Sequence, residues 1–345
     1  MTVQSLKPGT FINHVDFGKR RVKEMDERIS VTLPARAHLS VLDMNRFAPG
    51  YPGGGGVGVA VNKYLELDIK LSHRTKINGL RPSIIEHTLK IISDVLGYEE
   101  GFQVNVKEHG LLHKGLGSTS ALMSSVAFGS NYLLGQPLDL RELRLLVGLN
   151  FVEEADKGLV RPGYETGVGP MAGFYGGLVI MADGLEILHR MPLKGLRGIA
   201  IIPKDDADNA GESEVDLLSK KASELDARDG DQKSYEVLFS LFPGAIKGNV
   251  HAVGDSIWNL QKLGSKTAEV KHHTHSDEIY STMEFLRNHG GVITGMSSVG
   301  PTILSLFCDE FDLNNLETTV KKILPIEEIM PIAVDNNGVV VKILD

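Results

Sequence analysis

The sequence predicts an α+β chain arranged as two domains. Three observations carry that prediction. Residues 63–71, KYLELDIKL, set Leu65, Leu67, Ile69 and Leu71 against Glu66, Asp68 and Lys70, the period of two of a half-buried strand. Residues 83–96 place Ile85, Leu89, Ile92 and Leu96 on one helical face. Strand and helix signals then come in blocks, with a mainly helical run from about 212 to 289 that closes on strands. A chain of 345 residues has room for two domains of ordinary size.

The elements follow in order. Residues 1–28 are polar, with the basic run KRRVKEMDER at their end, and read as a solvated N-terminal extension. ISVTLPARAHLSVLDM and KYLELDIKL are strands, separated by the glycine-rich turn from Pro49 to Gly56. In the helix at 83–96, Ser83 and Glu86 have capping-box spacing and Gly97 is a natural stop. FQVNVKEH is a short strand. The loop HKGLGSTSA then opens ALMSSVAFGSNYLL, a run of apolar and small residues that suits a buried helix. Asp139 and Glu142 mark a second capping box, opening a helix over LRELRLLVGLNFVEEA. RPGYETGVGPMAGFYGG leads into the strand LVIMA, and GIAIIP is the next strand. TGMSSVGPTILSLF reads as two strands joined by a tight turn, and DLNNLETTVKKIL and VVVKIL as a closing helix and strand. The expected organisation is an extension at 1–28, one domain at 29–193 and a second at 194–345.

Composition narrows the function. Hydrophobic residues at 42% and charged residues at 23% are ordinary for a globular chain. A net charge of −8 argues against general nucleic-acid binding, which depends on neutralising phosphates. No window approaches the ~18–20 apolar residues of a membrane span, and the N-terminus has no apolar leader core. The single cysteine, Cys308, excludes an intramolecular disulfide. It ends an apolar run and reads as a buried, inert thiol. A cytoplasmic protein is expected. Glycine is in excess, 38 residues against an average of about 7%, and the surplus falls in a few loops.

Those loops hold the candidate chemistry. In His113-Lys114-Gly115-Leu116-Gly117-Ser118-Thr119-Ser120-Ala121, glycines let the backbone approach an anion and hydroxyls add donors. The following helix aims its N–H groups at the same place. The loop has neither P-loop nor dinucleotide-fold spacing, and a plain strand-to-helix turn is the other reading. Arg36 and His38 share one strand face, just before Asp43-Met44-Asn45. A guanidinium beside an imidazole suits a phosphate or carboxylate, or belongs to a salt-bridged surface strand. Arg161 with Glu165, Thr166, Gly167 and Gly169 forms a third group. Ser297, Ser298, Gly300 and Thr302 form a fourth at a glycine turn. His272, His273 and His275 lack metal-site spacing and read as a solvated loop. Trp258, at helical spacing in VGDSIWNLQKLG, reads as packing.

Taken together and in this order, LPARAHLSVLDMN, GGGVGVAV, HKGLGSTSAL, YETGVGPMAGFYGG, GESEV, SIWNLQKLG and GMSSVGPTILSL resemble the β-ribofuranosylaminobenzene 5′-phosphate synthase family, including related C-nucleoside synthases, on the GHMP kinase superfamily fold. The resemblance runs from about Ile29 to the C-terminus. GMSSVGPTILSL discriminates best, because GHMP kinases usually carry a Gly-Ala-Gly-Gly-rich loop there. The synthases typically end the middle loop in Gly-Thr-Gln, whereas this chain has Ser118-Thr119-Ser120-Ala121. Their Arg-Gly-Gly-Thr-Ser-Gly segment appears here as Arg161-Pro162-Gly163-Tyr164-Glu165-Thr166-Gly167.

The resemblance implies a GHMP-kinase-like two-domain fold, with a ribosomal protein S5-like N-terminal domain and a ferredoxin-like α+β C-terminal domain. It implies decarboxylative C-glycosylation. The ribose 5-phosphate of phosphoribosyl pyrophosphate would be joined to an aromatic or heteroaromatic carboxylate, with Mg²⁺ on the diphosphate and release of CO₂ and pyrophosphate. Gly115, Leu116, Gly117, Ser118, Thr119 and Ser120 would bind the diphosphate, assisted by Lys114. Arg36 and His38 would bind the 5′-phosphate or the acceptor carboxylate, and Asp43 and Asn45 would contact ribose or Mg²⁺. Arg161, Glu165 and Thr166, with Gly167 and Gly169, would shape the acceptor pocket. Ser297, Ser298, Gly300 and Thr302 would close the site from the second domain. No nucleic-acid or membrane partner is expected, and a homodimer is. The alternative on the same fold is an ATP-dependent small-molecule kinase with Glu165 as base.

Overall fold

The computed structural model describes residues 4–109, 114–204, 217–308 and 312–344. His113 and the GESEV segment lie outside the described residues. The first sheet has seven strands among the described residues. Its frame is β1 (Arg28–Val41) against β2 (Gly56–Ser72), an antiparallel ladder in which Arg36 faces Ala60 and His38 faces Gly58. The alternation of Leu65, Leu67 and Ile69 against charged residues sends those three into the core, as expected. β2 pairs with β4 (Gly101–His109) along its second half and with β7 (Leu178–Met181) along its first. β3 (Lys76–Asn78) lies parallel to β4, and β8 (Ile187–Met191) pairs with β7. β5 (Val152–Glu154) and β6 (Val160–Pro162) form a separate ribbon.

Against this sheet pack α1 (Pro82–Leu96), α2 (Ser118–Leu133) and α4 (Val168–Tyr175), and α3 (Leu140–Leu149) packs on α2 and α4. The Asp139–Glu142 capping box opens α3 as expected. The Ser83–Glu86 box does not form. Arg81, in a left-handed conformation, precedes α1 instead, and the Ser83 hydroxyl donates to Glu154 Oε1 at 3.2 Å. The tail FVEEA, expected to extend α3, is strand β5, because Asn150 ends the helix and turns its side chain onto the N-terminal segment.

The second sheet runs β10 (Gly291–Met296), β11 (Ile303–Phe307), β9 (Arg197–Pro203), β12 (Ile326–Ala333). Its helices begin with a continuous rod: a π-helical turn at Leu217–Ala222, α5 (Ser223–Glu236), a second π turn at Val237–Leu241 and α6 (Phe242–Ile246). α7 (Val250–Leu260), α8 (Gly264–Lys271), α9 (Ser276–Asn288) and α10 (Leu313–Ile323) follow. The last strand, β13 (Val340–Leu344), returns to the first sheet beside β1, which a boundary at 193 does not anticipate. One apolar cluster spans both halves, from Ala35, Leu39 and Val59 to Ile257, Ile293 and Leu304. Trp258 packs as expected, under the Lys262 amine and the Arg287 guanidinium. Cys308 is exposed, not buried, because it lies one residue past the end of β11.

The N-terminal extension is a strap. Its basic side chains Lys19, Arg20, Arg21 and Lys23 are exposed, as expected, but its backbone is tied down. Leu6 bridges to Val160, Asn150 Oδ1 accepts from the N–H groups of Ile12 and Asn13, and Asn13 Nδ2 donates to Gly50 O at 2.8 Å. Buried His87 receives the Gly9 N–H on Nδ1 at 3.1 Å, and its Nε2 meets Asn150 O at 3.0 Å. That pair of contacts fits the neutral ring, with Nε2 as donor. Burial lowers its pKa to about 4, against the raising effect of the Asn150 carbonyl. A folded value below the unfolded ~6.5 means that the unfolded chain binds more protons in between. Stability is therefore complete above pH ~6.5 and is lost as pH falls toward 4, by up to about 3 kcal/mol. Buried His38, also lowered, acts in the same direction. Thermal melting from pH 7 to 4 should show the decline, and His87→Gln should flatten part of it.

Candidate active site

Arg36 and His38 and the three glycine-bearing groups meet around the N-terminus of α2. Gly115 and Gly117 take left-handed backbones, φ +74° and +73°. A β-carbon on Gly117 would stand 2.8 Å from Arg36 Cζ, so the guanidinium lies directly against the loop. Arg36 Nη1 donates to Gly115 O at 3.3 Å, and its own N–H donates to Leu116 O. Ser118, Thr119 and Ser120 form the first turn of α2, where backbone N–H groups have no helical partner and the dipole is positive. Leu116 puts its side chain into the core. Lys114 turns away from the loop and pairs with Glu327 at 2.6 Å.

A second guanidinium, unread from the sequence, completes this end. Arg81 Nη1 reaches Ser118 Oγ and Thr119 Oγ1, both at 3.3 Å, and Nη2 reaches Ser118 O at 3.4 Å. Its left-handed position just before Pro82 aims it at the loop, and burial lowers its pKa. Thr119 Oγ1 donates to Glu153 Oε2 at 3.0 Å. Glu153 in turn faces Arg161 across the β5–β6 ribbon. Burial raises Glu153 against the pull of Thr119, Arg81 and Arg161. Glu165 is buried too. Burial raises its pKa, opposed by Arg36 and by backbone N–H groups, including Gly167 N–H at 2.7 Å. The start of α4 comes in closely: a β-carbon on Gly169 would strike the Ser120 side chain.

The Ser297–Thr302 turn, from the second half of the chain, bonds directly to the loop and to β1. Ser297 Oγ donates to Gly115 O at 2.7 Å and accepts the His38 N–H at 2.9 Å. Ser298 N–H donates to His38 O at 2.6 Å, from a left-handed residue at φ +54°. Thr302 Oγ1 donates to Lys114 O. Two buried side chains hold this turn. Lys266 Nζ donates to Met296 O and Ser298 O, at 3.2 and 2.9 Å, and pairs with buried Glu269. His273 Nε2 bonds Val299 O and stands where a Gly300 side chain would be. The histidine run is therefore not a wholly solvated loop: His273 is buried because its ring braces the third glycine turn. His38 meets Thr166 Oγ1 through Nε2 at 3.1 Å. Burial, then Arg36 and Lys266, depress its pKa well below 6.5, so it is a neutral hydrogen-bonding group at neutral pH.

Asp43 and Asn45 are bound to other partners than the loop. Asp43 accepts Asn45 N–H at 2.9 Å and pairs with Arg46, and Asn45 is bound to Ser223 at the start of α5. Nearby, Phe47 and Tyr164 meet edge to face at 5.3 Å. Among the described residues no cluster of three or more His, Cys, Asp or Glu is gathered as a metal site. No helix of the described residues is long and apolar enough to cross a membrane.

No family model matches the chain. The chain is similar to the beta-ribofuranosylphenol 5′-phosphate synthase of Methanothermobacter thermautotrophicus, with 23% identity over 301 residues, covering 80% of this chain and 88% of that one. It is similar to the protein of the same name from Methanocaldococcus jannaschii, with 24% identity over 311 residues, covering 79% and 88%. Among solved structures, homoserine kinase from Cytophaga hutchinsonii superposes with a TM-score of 0.67 at 17% identity, over 93% of this chain and 99% of that one. The fold is the GHMP kinase fold, and the resemblance read from the motifs is borne out.

Proposed function

We propose that this chain is an enzyme of the C-glycoside synthase type, transferring the ribose 5-phosphate of phosphoribosyl pyrophosphate to an aromatic or heteroaromatic carboxylate with loss of CO₂. One observation carries the reading. The Arg36 and Arg81 guanidiniums and the open first turn of α2 converge on one loop, a polyanion site rather than a plain turn. The similar synthases, whose names carry a ribofuranosyl 5′-phosphate, support a ribosyl phosphate donor.

In this reading the α2 N–H groups, Ser118, Arg36 and Arg81 take the diphosphate and stabilise it as it leaves. The ribose C1–oxygen bond breaks with its electron pair going to pyrophosphate. A ring-carbon pair of the acceptor forms the new C–C bond. The carboxylate on that carbon departs as CO₂, and its bonding pair restores the aromatic ring. No strong protein base is needed, because CO₂ leaves in place of a proton. Arg161 would orient the acceptor carboxylate through its planar fork. Phe47 and Tyr164 would flank the ring, and neutral His38 with Thr166 would offer hydrogen bonds. Asp43 and Asn45 would meet the ribose.

Mg²⁺ is commonly held by one or two carboxylates together with substrate phosphates. In this reading Glu153, bonded to Thr119 on the loop, would share it. An ion held there would supply charge neutralisation for the leaving diphosphate.

The kinase reading has one observation in its favour: Glu165 is buried beside the loop with a raised pKa, which suits a base for a hydroxyl acceptor. Incubation with phosphoribosyl pyrophosphate, Mg²⁺ and a panel of aromatic carboxylates separates the two. The synthase releases CO₂ and pyrophosphate. A kinase forms ADP from ATP and ignores the ribosyl donor.

A further inference from the structure

The N-terminal strap reaches the segment that carries Arg161 and Tyr164. Leu6, Phe11, Ile12 and Val15 anchor it, half-buried, on the first apolar cluster. Its other contacts go further than anchoring needs. Leu6 exchanges two backbone hydrogen bonds with Val160, at 2.7 and 2.9 Å. Gly50 is wedged between the strap and Pro162: a β-carbon there would stand 3.2 Å from Ile12 Cγ2 and 3.3 Å from Pro162 Cβ. The strap therefore holds both neighbours of Arg161, Val160 directly and Pro162 through Gly50.

Asn13 makes the most specific of these contacts. Its Nδ2 donates to Leu149 O at 2.7 Å and to Gly50 O at 2.8 Å. Its own N–H donates to Asn150 Oδ1 at 3.3 Å. The Gly50 N–H then donates to Gly163 O at 3.3 Å, and the Gly53 N–H to Glu165 O at 3.1 Å. A line of hydrogen bonds thus runs from Asn13 through Gly50 to Gly163. It ends one residue short of Tyr164, whose ring meets that of Phe47. The side-chain amide carries two N–H donors on one nitrogen, and here both are used.

We propose that Asn13 is a positioning residue for the aromatic acceptor. This rests on the reading above, in which Arg161 orients the acceptor carboxylate and Phe47 and Tyr164 flank its ring. Asn13 fixes the turn at 48–53, and that turn fixes the backbone of 163–165. The strap, which carries none of the glycine motifs, thereby sets how the acceptor's ring is seated. The donor side is independent of it. Among the described residues the strap makes no hydrogen bond to Ser118, Thr119 or Arg81.

The test is steady-state kinetics of Asn13→Asp and Asn13→Ala, with phosphoribosyl pyrophosphate and the aromatic carboxylate that the natural chain consumes. Hydrogen exchange is measured on the same proteins. Asn13→Asp keeps the shape of the side chain but offers no donor. In both variants the acceptor KM should rise about three- to tenfold, the scale of a lost hydrogen bond or two. The donor KM should stay unchanged. Amide exchange over residues 47–54 should quicken by a similar factor, while the first turns of α2 keep their rates. Val22→Ala is the control for a merely structural role, because Val22 packs the far end of the strap on the same apolar cluster. It should lower the melting temperature and leave both KM values alone. A donor KM that rises with the acceptor's overturns the proposal, as does unchanged exchange over 47–54. A natural chain that consumes no aromatic carboxylate overturns the reading on which the proposal rests. The exchange result needs no turnover, so the two failures are told apart.

Discussion

Gly115→Ala should lose about 10²–10³-fold in turnover, the scale of removing a placed oxyanion donor or shifting a site by an ångström. Two features compound there. The residue sits at φ +74°, where a side chain is strained. Its β-carbon would stand 2.8 Å from Ser297 O and 3.1 Å from Gly300 O, both backbone atoms of the closing turn. The new methyl therefore wedges the glycine loop off the Ser297–Thr302 turn. It also disturbs the carbonyl that accepts Ser297 Oγ and Arg36 Nη1. Gly97→Ala is the control: its φ is +65°, yet nothing lies within 4 Å of the added carbon. That variant should lose about 1 kcal/mol of stability and keep its turnover. Comparable kinetics for the two alanine variants would mean that the loop contact does not matter.

Lys266→Met should be strongly destabilising. The amine and the Glu269 carboxylate are both fully buried, at 0% and 2% side-chain exposure. Removing one partner strands the other charge, which costs about 3–5 kcal/mol. Met296 O and Ser298 O lose their donor in the same step, so the turn that ties His38 to Gly115 loosens. Replacing both partners, Lys266→Met with Glu269→Leu, removes the stranded charge and should recover most of the melting temperature. It restores no donor to the turn, so turnover should stay low. Recovery of both together would show that Lys266 serves stability alone and does not position the turn.

What the sequence revealed follows from the reach of each signal. Local patterns were readable: the Leu65–Ile69 alternation gave a strand, the Asp139–Glu142 box opened a helix, and Ser297 and Thr302 do bond the carbonyls of Gly115 and Lys114. Signals that depend on a distant partner were not. Arg81 looks like an ordinary residue before a proline, and only its left-handed backbone turns it toward Ser118. Glu153 was hidden in a run that reads as helix, and it gains meaning from Arg161 across a two-strand ribbon. Lys266 and His273 sit in polar stretches whose burial is set by the turn packed over them. The return of β13 to β1 is a matter of topology, and no period in residues 340–344 announces it. His38 was legible as a site residue, but its neutral state was not, because that depends on Arg36, Lys266 and the burial that brings them together.

The central claim is that carbon–carbon bond formation and loss of the acceptor's carboxylate are one reaction at this site. Carboxyl-labelled aromatic acceptor, incubated with phosphoribosyl pyrophosphate and Mg²⁺, tests it most directly. The account predicts one labelled CO₂ for each pyrophosphate released, in a product that carries no label. Pyrophosphate released with the label retained in the product would contradict it.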